Sequence, residues 1–494
     1  MGMIGYDVGP QNAWAVGELF ELLKVPAEPY AANGDYRLIV TDHSSSTADE
    51  SPVPRLNVGW VLDLVNHLLD TGQADSSART LPLDTALANL RAELRTYGAL
   101  VEVAPVPWGY DCIVTLSHDV DHLSFREHGF GLWWLSALRQ STLWPLQSAL
   151  SGRMTWRNSA RAWRLALASP FVLLGAVPDP WTAIDAYLPL EHTYGAYSTF
   201  YFIPFKGRPG RALAEHAVSP RRAAAYDLRG HHYVVRRLIE AGCEVGVHGL
   251  DAWVDVHAGQ AERARVEEAA GQPVAGIRMH YLFYDADTFR RLDQAGYAYD
   301  STFGYRNRVG FRAGTLQPFR PRGCDRLLEN PVHLEDGCLL SPSAEYAHPG
   351  EARAVVCQFL DLAKRHGGCL NVSWHDHSLA PPRLWGETYR VILEEAVARN
   401  AWLARVGDAT EWFARRREIS LAVTGRCADS LTLRVELPRA WPTSLPRPRL
   451  RIHAASPSPS EPPTSDHGCV YDAALEPGVF EVRTSATGLG VRRV

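Results

Sequence analysis

The sequence predicts an α/β barrel flanked by two smaller units, and three observations carry that prediction. From Asp111 to Arg417 short apolar runs alternate with stretches of helical periodicity; after Arg417 that periodicity vanishes; before Asp111 a smaller set of strand and helix patterns stands apart. Seven or eight strand–helix units of this length imply parallel pairing, and that many favour closure into a barrel over an open sheet. The expected organisation is a small α/β unit over 1–110, a barrel over 111–417 with an insertion at 126–177, and a β-rich unit over 418–494.

In the first unit Tyr36–Thr41 reads as a strand, with amphipathic helices over Trp60–Leu69 and Thr85–Tyr97. It gathers no reactive side chains, so a structural or docking role is expected. The barrel's apolar runs are Cys112–Leu116, Ser198–Ile203, Glu244–Val247, Gly276–His280, Tyr297–Ser301, Asn330–His333, Cys369–Trp374 and Ala401–Val406. Between them, Tyr233–Ala241 repeats apolar residues at Val234, Val235, Leu238 and Ile239 and stops at Gly242, as a helix does at its C-cap. Val355–Arg365 and Val391–Arg399 behave likewise. The insertion is rich in Trp, Leu and Arg (Trp133, Trp134, Trp144, Trp156, Trp163). It is read as helices packed on the barrel's outside, with a lid, a membrane-surface element or a docking helix pair as alternatives. Beyond Arg417, Ile419–Val423, Ser430–Leu437, Arg449–His453 and Val479–Thr484 alternate as strands of a β-sandwich-like unit, with a Pro/Ser-rich loop at Ala455–Ser465.

Composition narrows the function classes. The chain has 494 residues, 46% hydrophobic and 21% charged, which excludes a disordered chain. It shows no three-residue glycine period and no heptads. A net charge of −5 with no clustered basic excess argues against nucleic acid as partner. The eight cysteines are dispersed and several lie in apolar runs, so they read as reduced thiols. No basic region followed by an apolar core opens the chain, and Leu165–Val177 reaches only about half of the ~20 residues a transmembrane span needs. A soluble cytoplasmic protein is expected.

In parallel α/β folds, reactive groups collect just past the C-terminal ends of the strands. Here Cys112–Leu116 leads into Ser117-His118-Asp119-Val120-Asp121-His122, and Glu244–Val247 into His248-Gly249-Leu250-Asp251. Gly276 and Ile277 lead into Arg278-Met279-His280-Tyr281, Tyr297–Tyr299 into Asp300, and Cys369–Ser373 into Trp374-His375-Asp376-His377. Taken singly, such residues are often helix caps or hydrogen-bonded core side chains. Together they describe one pocket of carboxylates, imidazoles and an arginine, suited to metal-assisted or general acid–base hydrolysis. His118 and His122 are expected in structural contacts, and Asp251 is either a cap or a site residue. The chain has no Gly-x-Ser-x-Gly elbow, Walker A loop or Gly-x-Gly-x-x-Gly after a strand. A paired-carboxylate glycoside hydrolase stays open.

At these residues the chain resembles the NodB-homology polysaccharide deacetylases, carbohydrate esterase family 4. The features follow in that family's order over roughly Asp111–Arg417: Ser117–Asp121, the strand Ser198–Phe202, Glu244–His248, Arg278–Tyr281, Tyr299–Ser301, Ser373–His375, and a closing strand and helix in Ala401–Arg417. The resemblance implies a distorted (β/α)7 barrel that removes an N-acetyl or related acyl group from a sugar or glycan precursor, using a divalent metal, zinc first. It implies Asp119 as base, Asp121 and His248 as metal ligands, Arg278 orienting the base, and His375 as acid held in its tautomer by Asp300. The backbone N–H of Tyr281 would contribute to an oxyanion site.

The pattern departs from the family in three places. Ala252 stands where a second His ligand is usual, the first motif is Asp-x-Asp, and His280 replaces a proline. The roles of Asp119 and Asp121 are therefore exchangeable. Either His280 supplies a third ligand or the site works without metal. The alternatives are a metal-free barrel amidase acting on a non-sugar amide and a non-catalytic glycan-binding or scaffold protein. A cytoplasmic enzyme would take a nucleotide- or lipid-linked sugar, and membrane-surface contact would fall to 126–177.

Overall fold

The computed structural model describes residues 2–42, 52–181, 184–213, 223–341, 344, 348–427, 430–437, 440–456, 469–476, 478–485 and 488–493. Most of the loop read at Ala455–Ser465 lies outside them. Near the N-terminus, β1 (Met3–Asp7), β2 (Ala27–Pro29), β3 (Tyr36–Thr41) and β4 (Arg55–Asn57) form a parallel sheet in the order β2-β1-β3-β4. With it pack α1 (Ala13–Leu23), α2 (Gly59–Leu68) and α3 (Pro82–Thr96). This unit shares one continuous apolar core with the barrel, running from Ile4 to Ala396. Asp84 on α3 clips the two together, accepting hydrogen bonds from Thr315 Oγ1 at 2.6 Å and Leu316 N–H at 2.8 Å.

After β5 (Leu100–Val103) the chain enters a curled sheet of parallel strands: β6 (Cys112–Val120), β7 (Thr199–Phe202), β8 (Glu244–Gly249), β9 (Gly276–Met279), β10 (Tyr299–Asp300), β11 (Leu328–Glu329), β12 (Leu334–Glu335) and β13 (Cys369–Ser373). The hydrogen-bonded order is β11-β10-β9-β8-β7-β6-β13-β12. A ninth strand, β14 (Ala401–Ala404), pairs with the first half of β6 while β7 pairs with its second half. β6 is buried at every position, which a continuous apolar run feeding a parallel sheet requires.

The expected strand Asn330–His333 is instead the link between β11 and β12. Pro331 has no N–H to give to a ladder, so pairing breaks there. Asn330 N–H still reaches Asp300 O, and His333 N–H reaches Asn371 O. The two edges of the sheet are thus joined through the chain itself. Among the described residues no ladder closes the ring.

Helices α4 (Leu132–Leu150), α5 (Trp156–Leu173), α6 (Ile184–Thr193), α7 (His232–Glu240), α8 (Val256–Ala270), α9 (Thr288–Gln294), α10 (Asp336–Leu340), α11 (Pro349–His366), α12 (Gly386–Ala398) and α13 (Val406–Glu418) accompany the sheet. α7 stops where the sequence signals it, ahead of Gly242 at φ +90°. Cys112, Cys243, Cys324, Cys338, Cys357 and Cys369 are free thiols.

The tail forms two antiparallel sheets. β15 (Ser420–Cys427), β16 (Ser430–Glu436), β19 (Gly478–Ser485) and β20 (Gly488–Arg493) build one, while β17 (Arg449–His453) and β18 (Cys469–Ala474) build the other together with β5. Val101, Val103, Leu421, Leu433, Leu450 and Ile452 fill the cluster between them. β5 therefore ties the chain's first hundred residues to its tail. Glu102 is the polar rivet of this junction, accepting from Arg91 Nε at 2.6 Å and meeting His453 Nε2 at 3.0 Å.

Burial alone would raise the Glu102 carboxyl, but Arg91, His453 and Arg451 outweigh it and hold it well below the usual carboxylate range. A depressed acid stabilises the fold fully above its unfolded value of about 4.3, and that stabilisation drains away as pH falls toward the folded value. Glu102→Gln is therefore expected to lower stability near neutral pH by about 2–3 kcal/mol, because it leaves the half-buried Arg91 without its countercharge. The deficit relative to the unsubstituted protein should shrink below pH 4. Urea unfolding of both proteins across that range measures it.

Candidate functional site

Alternation along β6 sorts its end residues by face. Ser117, Asp119 and Asp121 point into the mouth of the curled sheet. His118 points outward, where its imidazole meets Glu191 Oε1 and Trp374 O, each at 2.8 Å, between the rings of Tyr187 and Phe200. Opposite Asp119, Arg278 projects from β9 and is wholly buried. Its five N–H donors are all used: Nη1 on Asp119 Oδ1 (2.8 Å) and Ser373 Oγ (3.0 Å), Nη2 on Ser117 Oγ (2.9 Å) and Ser301 Oγ (3.0 Å), and Nε on Ser301 O (3.0 Å). Burial would raise the Asp119 carboxyl, yet Arg278, His248 and His375 together bring it down to about 2. Asp119 is a held, ionised carboxylate.

Two residues on, Asp121 faces His248 of β8 and His280 just past β9. Asp121 Oδ1 lies 3.6 Å from His248 Nε2 and 3.5 Å from His280 Nδ1, and the two imidazole nitrogens are 2.9 Å apart. His248 Nδ1 sits 3.0 Å from Arg278 O, an arrangement that places its proton there and leaves the Nε2 lone pair facing Asp121. Asp121 Oδ1 is buried without a hydrogen-bond partner. A buried, unpartnered carboxylate oxygen beside two imidazoles fits a divalent cation: the three donors lie within 4.8 Å of one another, and three protein ligands are the usual set of a catalytic zinc. Burial lowers the His280 imidazole to about 3, which keeps it in the neutral form that ligation needs.

His375 follows β13 and closes the third side. The residue expected to hold it, Asp300, does not reach it. Asp300 is paired in register with Ile277, so it shares the face of that core residue and turns away from Arg278 and the pocket. Its Oδ1 accepts instead from Ser301 N–H (2.8 Å) and Thr302 Oγ1 (2.5 Å). Burial pushes Asp300 up to about 6, beside the equally buried Glu329. It braces the turn whose Ser301 grips Arg278.

The partner of His375 is Asp336, at the start of α10. Asp336 Oδ1 is 2.6 Å from His375 Nδ1, and Oδ2 accepts His375 N–H at 2.9 Å and the Ser378 hydroxyl. Burial would lower the His375 imidazole, but Asp336, then Asp121 and Glu335, raise it to about 10. Glu335 lies 4.0 Å from His375 Nε2, and burial pushes its carboxyl up to about 7. The sequence reading singles out neither acid, because only the lone apolar Leu334 directly precedes the two carboxylates.

Asp119, Asp121, His248, His280, Glu335 and His375 line one cavity of about 460 Å³, together with Tyr281 and Arg306. Tyr281 (φ +62°) and Leu282 (φ +50°) both adopt left-handed backbone in its wall, a strain of roughly 1–3 kcal/mol each. His122 lies outside, among His128, Trp133, Trp181 and His377. Asp251 is also outside; it accepts from Arg211 N–H at 2.7 Å.

No family model and no curated protein matches this chain. Among solved structures it is similar to a Mycobacterium smegmatis protein assigned as a polysaccharide deacetylase, at 19% identity over 66% of this chain and 98% of that one, TM-score 0.40. It is also similar to a Pseudomonas aeruginosa PAO1 protein assigned likewise (13% identity, 62% and 92% covered, TM-score 0.39). A third is Puue allantoinase (13%, 62% and 91%, TM-score 0.37). At such distances the chemistry must come from the pocket itself.

The ligand trio makes a direct prediction. Zinc titration of the purified protein against a competing chromophoric chelator should show one tight site, and His280→Ala should weaken it by about 100-fold or more while the circular dichroism spectrum is kept.

Proposed function

We propose that the protein is a hydrolase that removes an N-acetyl or related acyl group from a sugar or glycan precursor by metal-assisted general acid–base catalysis. One observation carries it: a carboxylate held by Arg278 (Asp119), three donors that fit a cation (Asp121, His248, His280) and an imidazole held by Asp336 (His375) share one cavity. A divalent cation there, zinc being the first candidate, supplies Lewis-acid polarisation of the acyl oxygen and a more acidic water.

The chain's own groups complete the proton balance. Asp119, ionised by Arg278, accepts the proton released when water adds to the acyl carbon. A carboxylate held near 2 is a weak base towards ordinary water, which is the physical reason to pair it with a cation site. As the C–N bond breaks, His375 gives its Nε2 proton to the departing amine, and Asp336 stabilises the imidazolium beforehand. The Tyr281 N–H is assigned to the oxyanion that develops at the acyl carbonyl. Arg278, Asp300 and Asp336 are positioning residues. The five buried free thiols among the described cysteines support a reducing, cytoplasmic setting as part of the same proposal.

Acetate release from N-acetylated sugars, free, nucleotide-linked and lipid-linked, tests the proposal. Asp119→Asn is expected to lower kcat by about 10²–10⁴-fold with an unchanged melting temperature; a rate equal to the unsubstituted protein's would overturn the assignment. For Asp336→Asn the sign is fixed by the direction of the His375 shift. Removing the anion lowers the imidazole's pKa, so the proton donor is lost at lower pH. The alkaline limb of kcat/KM should then move down by about one unit or more.

A further inference from the structure

Ten of the fifteen exposed large apolar side chains among the described residues lie between Phe130 and Leu174, on the α4–α5 hairpin. The hairpin is well built on its inner side: Trp134 Nε1 donates to Ser169 Oγ, Trp163 Nε1 to Thr142 O, and Ser159 Oγ to Pro145 O. Trp133, Trp134 and Val172 pack into a cluster with Phe125 and Trp181 beside the pocket. Its outer side is built differently. Leu132, Leu135, Leu143, Leu146 and Leu150 recur every three or four residues, with Arg139 filling the gap, so one outward stripe of α4 is leucine. On α5 the outward stripe changes along its length, from Arg157, Arg161 and Arg164 to Leu167, Phe171 and Leu174.

Charge selects the occupant of this face. In a chain of net charge −5, residues 128–178 contain no Asp, Glu or Lys, and their charged residues are Arg139, Arg153, Arg157, Arg161 and Arg164. A second copy of the hairpin would set arginines against arginines. A protein groove would need acidic residues interleaved with apolar ones. An anionic lipid surface offers phosphates above hydrocarbon, the complement of arginine interspersed with leucine, phenylalanine and tryptophan. No described helix is long and apolar enough to cross a membrane. We infer that the α4–α5 hairpin is an interfacial element that seats the protein on anionic lipid, lying in the headgroup plane with its outer stripes inserted. The same hairpin packs, through Trp133, against His122, the residue after Asp121, and Trp181, just beyond the hairpin, joins that contact. The seat is therefore coupled to the rim of the cavity.

The full chain should co-sediment with vesicles of equal parts phosphatidylglycerol and phosphatidylcholine, bind pure phosphatidylcholine weakly, and be released from the anionic vesicles as salt rises. Leu143→Asp/Leu146→Asp and, separately, Arg157→Gln/Arg161→Gln/Arg164→Gln should each lower anionic-vesicle binding at least about 10-fold, with the circular dichroism melt retained. The inference is overturned if the unsubstituted protein stays in the supernatant with anionic vesicles. It is equally overturned if both variants bind as the parent does, or if the leucine face instead proves to hold a dimer that the leucine variant dissolves. Vesicle binding is read without any substrate, so its outcome is separate from that of the hydrolase assignment.

Discussion

The rest of the site depends on the buried Arg278 guanidinium. At 2.8 Å its attraction to Asp119 amounts to roughly 6 kcal/mol at an effective dielectric constant of 20, which is no more than the several kcal/mol that burying either ion costs. The ion pair alone about breaks even. What makes the arrangement hold is that the remaining N–H groups find Ser117, Ser301 and Ser373, and that these hydroxyls can pass their own protons onward, to Val372 O and Asn330 O among others. Strands β6 and β13 and the turn after β10 are thereby pinned to one planar group carried by β9. Lysine, a point charge without this fork, would leave several of these acceptors unmatched.

That frame explains why Asp119 and Asp121, two residues apart on one strand face, have different surroundings. Asp119 meets a permanent cation with directed donors. Asp121 meets the imidazoles of His248 and His280 and keeps an oxygen without a hydrogen-bond partner. Tertiary placement gives the two carboxylates different neighbours: Arg278 and His280 stand on opposite ends of the same short stretch of chain, one beside each carboxylate.

Much of this was legible from residue order. Polar clusters after apolar runs marked Asp119, Asp121, His248, Arg278, His280 and His375, and all six line or floor one cavity. Tyr36–Thr41 and Arg449–His453 were read to the residue. What failed to show depended on pairing between distant segments. The face of Asp300 is decided by its register with Ile277, which nothing local encodes. β5 carries the alternation of a strand, but its partner lies some 350 residues downstream, at His453. Asp336 was hidden because the strand before it, Leu334–Glu335, is only two residues long and follows Pro331, so no extended run announced it.

That two-residue strand carries a geometric liability. Glu335 and Asp336 are consecutive, and consecutive positions leaving a strand point to opposite sides. One carboxyl sits near 7 and the other near 2 because only one of them meets His375 Nδ1. A slip of a single position along β13 would exchange them, trading a charged clamp for a proton-bearing neighbour. The four-residue bridge from Asn330 to His333, fastened at both ends to neighbouring strands, thus acts as a spacer of fixed length. Lengthening or shortening it by one residue would change the identity of the acid at the imidazole without altering any residue in the pocket.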